Sequence, residues 1–303
     1  MADTSPATQS LRNQIDSSEI AVMPGVYDAL SAMLAEQAGF EAVFTSGFSI
    51  SATKLGKPDI GLLTMSENIE RIRSITNAIS TPLVADMDTG YGNALNVRRS
   101  VNEAIDAGVA GIILEDQQWP KRCGHMREKS VVPATEHAQR IQAAADVRAE
   151  SDTDIIIIGR TDAREPHDLD EALRRGHMYA NAGADVIFVE APQSRDELET
   201  IATEFDQPTF ANMIEGGKTP YLPYNELASI GFDIVVYPLS ALFAVTQTLA
   251  DTFEQLQTTG TTTDRAAVEF DRFDEIINAN MYREQEKRYG SLDEESFTDS
   301  QET

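Results

Sequence analysis

The sequence of 303 residues contains one cysteine, one tryptophan and four histidines. A single cysteine excludes an internal disulfide, which accords with a reducing compartment and a cytoplasmic location. Cysteine and histidine are also too few for a zinc site built on soft ligands. Basic residues are scarce: 24 Lys and Arg stand against 50 Asp and Glu, a net charge of −26. Such a surface repels phosphate backbones and anionic headgroups, which argues against nucleic acid or a membrane as partner. No apolar run approaches the length of a membrane span, and Met1–Ser10 lacks the basic-then-apolar order of a signal peptide. No glycine-rich phosphate-binding motif lies between a strand and a helix; Gly90-Tyr91-Gly92 is too short for one. Acid excess alone would suggest disorder, but long periodic apolar segments oppose that. The charge is instead that of a folded protein adapted to concentrated salt, where self-repulsion is screened.

Those periodic segments follow one repeating order: a short apolar run, a polar turn, an amphipathic helix. Eight strands are expected, at Ala21–Met23, Ala42–Thr45, Pro82–Asp86, Gly111–Glu115, Ile155–Gly159, Val186–Glu190, Thr209–Asn212 and Ile234–Tyr237. Helical periodicity marks Asp28–Gln37, Ser66–Ala78, Ala94–Ala107, Ala134–Arg148 and Leu169–Ala182. Unbroken runs such as Ile155-Ile156-Ile157-Ile158 suit a parallel sheet buried on both faces. Strands alternating with helices imply right-handed βαβ units, and eight of them point to an α/β fold, a closed (β/α)8 TIM-type barrel. Ala38-Gly39, Ala107-Gly108, Ala182-Gly183 and Ile230-Gly231 each close a helix on a glycine, where a left-handed cap is wanted. After Tyr237 a helix is expected over Ala241–Gln257, a break at Thr258–Thr263 and a last helix over Arg265–Arg288. Residues 1–290 thus read as one domain with a helical extension, and 291–303 as an acidic disordered tail.

In such barrels the working residues lie at the C-terminal ends of the strands. The fourth strand runs into the densest polar stretch of the chain, Glu115-Asp116-Gln117-Gln118-Trp119-Pro120-Lys121-Arg122-Cys123-Gly124-His125. A thiol flanked by Lys121, Arg122 and His125 is in a setting that favours thiolate. The alternative is a small apolar packing residue; the density of reactive groups favours function. Asp86 and Asp88 would share a face if the third strand continued regularly, and with Glu115 they make an oxygen-rich site suited to Mg²⁺. Any one of these acids alone reads equally as a cap or turn residue. Asp59 is either a turn residue or an acid orienting metal-bound water. Arg160 and Asn212, with the backbone amides of Ser46-Gly47, suit a carboxylate or oxyanion. His137, His167 and His177 read as surface residues, and Trp119 as a packing residue of its loop.

From Val22 to Gly290 the chain resembles the isocitrate lyase/phosphoenolpyruvate mutase superfamily. The resemblance rests on Pro24-Gly25-Val26-Tyr27-Asp28-Ala29, Thr45-Ser46-Gly47, Asp86-Met87-Asp88-Thr89-Gly90-Tyr91-Gly92 and Glu115-Asp116-Gln117. It continues through Lys121-Arg122-Cys123-Gly124-His125, Arg160-Thr161-Asp162-Ala163, Glu190-Ala191, Asn212 and Pro238-Leu239-Ser240. The cysteine-containing loop resembles the lyase branch. The resemblance implies Mg²⁺ (or Mn²⁺) on Asp88, with Asp86, Glu115 and Asp59 holding its waters. It implies a 2-hydroxy di- or tricarboxylic acid as substrate, bound by Ser46, Gly47, Arg160, Glu190 and Asn212, with Pro238 nearby. Cys123 would protonate the carbanion left by carbon–carbon cleavage. Lys121, Arg122, Gly124 and His125 would shape its loop, and Tyr27 is a candidate base. A homotetramer that exchanges its last helix is implied as well.

Phe188 and Val236 fall where isocitrate lyases of the family carry bulkier aromatics, which leaves room for a substrate methyl. That comparison favours 2-methylisocitrate, cleaved to pyruvate and succinate, over isocitrate. Asn212-Met213-Ile214-Glu215-Gly216-Gly217-Lys218-Thr219-Pro220, Trp119-Pro120 and His125-Met126-Arg127 are more similar to the 2,3-dimethylmalate lyase group. Phe243 stands where methylisocitrate lyases have an arginine, which points toward a dimethylmalate or citramalate type of acid. Oxaloacetate decarboxylation or hydrolysis is a further activity that the same metal site could support.

Overall fold

The computed structural model describes residues 6–124, 129–151, 153–263 and 267–290; His125, the expected start of the last helix at Arg265 and the tail from 291 lie outside them. Eight parallel strands close into a barrel in sequence order: β1 (Ala21–Val26), β2 (Val43–Thr45), β3 (Leu83–Asp86), β4 (Gly111–Glu115), β5 (Ile156–Thr161), β6 (Val186–Val189), β7 (Thr209–Asn212) and β8 (Ile234–Tyr237). The seam is made by β1 and β8, which pair from Ala21↔Ile234 to Pro24↔Tyr237. At Gly25 the backbone of the segment after β8 is so close that a Cβ would fall 2.1 Å from the Pro238 carbonyl oxygen. Only glycine lets the two ends of the barrel meet there.

A helix not anticipated from the periodicity, α1 (Pro6–Ile15), precedes the barrel. Its Leu11 and Ile15 join Met23, Val84, Ile113, Ile158, Phe210 and other inward residues of the strands in one buried cluster. Leu11 is fully enclosed, a burial that contributes about 2 kcal/mol. Outward strand residues such as Ile112, Ile157 and Val235 pack in a second cluster with the helices α2 (Ala29–Gln37), α4 (Met65–Thr76), α5 (Ala94–Asp106), α6 (Ala134–Glu150), α7 (Leu169–Asn181), α8 (Arg195–Glu204) and α9 (Tyr224–Ile230). Between β2 and α4 lies a short α3 (Gly47–Ile50) that widens into a π-helical turn, Ser51–Leu55.

Helix boundaries follow their caps. Asp28, Thr64 and Asn93 form reciprocal capping boxes at the starts of α2, α4 and α5, and Asp168 and Ser194 cap α7 and α8. These side chains accept from backbone N–H groups that the helix itself leaves unpaired. The expected glycines Gly39, Gly108, Gly183 and Gly231 all take positive φ.

Two expectations are corrected. His137 is fully buried on α6, its ring edge-on to Tyr179 at 4.6 Å between centroids. Burial pushes its pKa down to about 3, because a low-dielectric setting disfavours the imidazolium. His167 is exposed, and His177 is a partly exposed partner of Glu204. The last helix is in fact two, α11 (Phe270–Ile276) and α12 (Ala279–Gly290), after α10 (Ser240–Thr259). The break falls at Asn278 (φ 54°), and asparagine is among the few residues that tolerate the left-handed region. By contact the chain divides into two compact units, one through Gln247 and one from Thr248.

Charge is distributed unevenly with depth. Among the described residues the buried charges comprise seven acids (Asp59, Asp86, Asp88, Glu115, Asp116, Asp162, Glu190) and five bases (Lys121, Lys129, Arg140, Arg160, Arg175). The interior is close to neutral, so nearly all of the net −26 lies outside it.

Candidate active site

The C-terminal ends of β2 to β8 converge on a small cavity of about 30 Å³, room for about two waters. Asp59, Asp86, Glu115, Lys121, Cys123, Arg160, Glu190 and Asn212 supply its polar lining, and Phe44, Phe188, Phe210, Val236 and Leu239 much of its apolar wall.

Asp86 ends β3, and Asp88 follows it in a left-handed conformation (φ 51°). The strand therefore does not continue regularly as the shared-face argument required. A turn brings the two acids together instead, and the Asp88 N–H donates to Asp86 Oδ1 at 3.0 Å. Asn68, buried on α4, donates to the Asp86 carbonyl and to Tyr91 Oη, both at 2.9 Å, and so fixes this turn from behind. Gly47 N–H donates to Asp86 Oδ2 at 3.0 Å, so the amide expected to face substrate is engaged by the aspartate.

Lys121 Nζ stands 2.6 Å from both Asp59 Oδ1 and Asp88 Oδ1. Burial favours a neutral amine, but Asp88, Asp59, Glu115 and Asp86 together overrule it and raise the lysine pKa. Asp88 is pushed up to about 7, first by burial and in spite of Lys121. Glu115 is raised well above the usual range, chiefly by burial, although Arg160 Nη2 lies 3.3 Å from its Oε2. Asp88 Oδ2 and Glu115 Oε1 are buried without a hydrogen-bond partner. Buried carboxylate oxygens left in that condition are costly, and a bound cation would satisfy them. Among the described residues no group of three or more His, Cys, Asp or Glu forms a ready cage. These unpaired oxygens are hard donors of the kind Mg²⁺ takes in small number while retaining water.

Arg160 ends β5 among acids. Its Nε donates to Asp162 Oδ2 at 2.8 Å and its Nη2 to Asp162 Oδ1 at 3.1 Å, while Glu190 Oε2 lies 3.4 Å away. Asn212 Nδ2 reaches both Glu190 oxygens at 3.3 and 3.4 Å. Cys123 is half-buried and its N–H donates to the Asp59 carbonyl. Gln117 clamps the preceding residue from both sides, donating to the Arg122 carbonyl and accepting from its N–H. The Arg122 side chain is exposed and does not line the cavity.

Two other expected residues stand back from it. Tyr27 packs with Ile214, Leu239 and Leu242, and its pKa is raised by burial and by Asp28, which disfavours it as a base. Pro238 touches Gly25 and accepts from Ser49 Oγ through its carbonyl. Trp119 is partly exposed and packs beside Tyr91 at 6.2 Å between ring centroids.

Sequence reasoning overlooked the support beneath the site. Asp116 Oδ2 accepts from Thr161 Oγ1, Arg175 Nη1 and Tyr179 Oη at 2.7 to 2.9 Å, and Asp116 Oδ1 accepts from the Asp162 N–H at 2.8 Å. Arg175 and Tyr179 are four apart on α7, the spacing that places two side chains on one helix face. Lys129 was overlooked as well. Its Nζ is buried between the Gly124 carbonyl (2.7 Å) and Asp162 Oδ1 (2.8 Å).

Comparison with known proteins agrees with this geometry. The family model "Phosphoenolpyruvate phosphomutase" matches residues 11–257. The chain is 45% identical to carboxyvinyl-carboxyphosphonate phosphorylmutase of Arabidopsis thaliana, covering 92% of this chain and 83% of the relative. It is 41% identical to 2,3-dimethylmalate lyase of Eubacterium barkeri (93% and 97% covered) and 41% identical to 2-methylisocitrate lyase of Bacillus subtilis (77% and 76%). Among solved structures, oxaloacetate acetylhydrolase with 3,3-difluorooxalacetate superposes with a TM-score of 0.91 at 31% identity (94% and 98% covered). Phosphonopyruvate hydrolase with oxalate and Mg²⁺ does so with 0.83 at 31% identity (93% and 99%). The chain is an enzyme of the phosphoenolpyruvate mutase/isocitrate lyase superfamily, and carbon–carbon lyases are among its relatives.

Proposed function

We propose that this enzyme is a Mg²⁺-dependent lyase that breaks the C2–C3 bond of a 2-hydroxy carboxylic acid, releasing a 2-oxo acid and a second carboxylate. The observation that carries the reading is the meeting of Cys123, Arg160, Asp86 and Glu115 at one cavity, with Asp88 bonded to Asp86 and Lys121 beside it. Asp88, with Asp86, Glu115 and Asp59, would hold the metal. When bound, the metal supplies a Lewis acid for the oxygen at C2. Arg160, fixed in orientation by Asp162, binds a substrate carboxylate. Lys121 remains protonated and balances the carboxylates around it. One of the site carboxylates takes the proton of the C2 hydroxyl, the C2–C3 electron pair passes to C3, and the thiol of Cys123 gives its proton to the carbanion left there.

Sequence comparison placed 2-methylisocitrate first among substrates. The cavity favours a branched dicarboxylate of the 2,3-dimethylmalate or citramalate type. Among the described residues its lining offers Lys121 and Arg160 as cations, and Phe243 lies outside it, edge-on to Phe48 at 6.4 Å. The apolar wall with Phe188 and Val236 suits the branch.

We further place the enzyme in the cytoplasm of a salt-accumulating host, as a homotetramer that exchanges its C-terminal helices. Phe253, Phe270, Tyr282 and Tyr289 are exposed in the single chain, which supports coverage by a second copy. No helix of the described residues is long and apolar enough to cross a membrane.

The test is turnover of 2,3-dimethylmalate, citramalate, 2-methylisocitrate and isocitrate with Mg²⁺ in concentrated KCl, trapping the 2-oxo acid. Cleavage of the dicarboxylates above the others is expected. The variant Cys123→Ser should lower turnover by roughly 10²-fold or more. Consumption of oxaloacetate alone, undiminished in Cys123→Ser, would instead establish the decarboxylase or hydrolase activity.

A further inference from the structure

The corner of chain that carries Cys123 is seated by very close contact. A Cβ added at Gly124 would lie 2.5 Å from Arg160 Nη2 and 2.6 Å from Glu190 Cδ, so the backbone there rests directly on the groups that face substrate. Lys129 Nζ bonds the Gly124 carbonyl on one side and Asp162 Oδ1 on the other, with its side chain wholly buried. The same Asp162 carboxylate holds Arg160 through two bonds and is itself fixed through its N–H by Asp116, which α7 anchors by Arg175 and Tyr179.

We propose that Lys129 is a positioning residue, a clasp that ties the Cys123–Gly124 corner to Asp162, so that one carboxylate sets both the seat of the thiol and the aim of Arg160. Three observations support this. Lys129 spends its buried ammonium on a main-chain carbonyl of this corner and on a carboxylate 33 positions away. Burial works against its charge, but Asp162 and Glu190 sustain it, and its pKa is raised. The cavity that this corner borders is only about 30 Å³, so the seat of the corner bears directly on the space left for substrate. A clasp of one ammonium with two acceptors fixes a single geometry for this corner.

The inference rests on the proposed role of Cys123, but its test does not depend on turnover. Cys123 is the sole thiol, so its alkylation by iodoacetamide reports the seat of the corner directly. In folded Lys129→Met, checked by circular dichroism, alkylation should accelerate at least about tenfold, with Lys129→Arg close to wild type. Turnover of the preferred substrate should fall mainly in kcat. An unchanged alkylation rate in Lys129→Met overturns the clasp. Faster alkylation with unchanged kcat upholds the clasp and removes Cys123 from the chemistry. If Lys129→Met does not fold, Lys129→Gln decides: its shorter, neutral side chain gives up the ion pair with Asp162, and a wild-type alkylation rate in it overturns the proposal.

Discussion

His137 shows how a single residue can defeat a reading based on residue type. Four histidines in an acidic chain invite assignment either to a site or to the surface, yet His137 is fully buried against Tyr179 on the inner face of α6. Its folded pKa of about 3 lies below the ordinary histidine value. As pH falls, the unfolded chain gains a proton that the folded ring refuses, so His137 removes up to about 1.4 kcal/mol of stability per pH unit through that window. The sign is that of a depressed pKa: the contribution is intact above the unfolded value and is lost on acidification. Urea unfolding at about pH 7 and pH 5 should show His137→Gln losing less stability than wild type. Equal losses would mean that the ring is protonated inside the fold. Asp86, Glu115 and Cys123 were legible as residues of one cavity because strand ends and a dense polar stretch expose them to inspection. Lys129 was not, since its partner Asp162 is brought to it only by barrel closure.

At the scale of elements, the strands were legible because a parallel strand buried on both faces must be apolar throughout, as Ile155–Ile158 is. Their ends shifted by one to three residues, where caps and glycines decide. Two features left no trace in the periodicity. The plug formed by α1 is a short amphipathic stretch whose partner is the barrel interior, and the break at Asn278 interrupts a pattern that reads as continuous. The seam between β1 and β8 gives the clearest test of an element. Gly25→Ala places a methyl against the Pro238 main chain, which has no side chain to swing aside. A loss of about 3 kcal/mol or more is expected, seen as a lower urea midpoint. An unchanged midpoint would mean that the two strands can part without cost.

At the scale of the whole molecule, composition announced an acidic protein but not where the acids lie. Because the interior is nearly neutral, the surface carries almost the entire excess. Lowering KCl should therefore reduce the thermal midpoint through unscreened repulsion, and a midpoint indifferent to KCl would remove the halophilic reading. Surface charge of this size also governs encounter. A doubly anionic substrate approaches a molecule of its own sign, so the collision frequency is depressed at low ionic strength and recovers as counterions gather. The slope of log kcat/KM against the square root of ionic strength should thus be positive, the reverse of an electrostatically guided enzyme. For this chain dissolved salt would serve as part of the route by which substrate arrives.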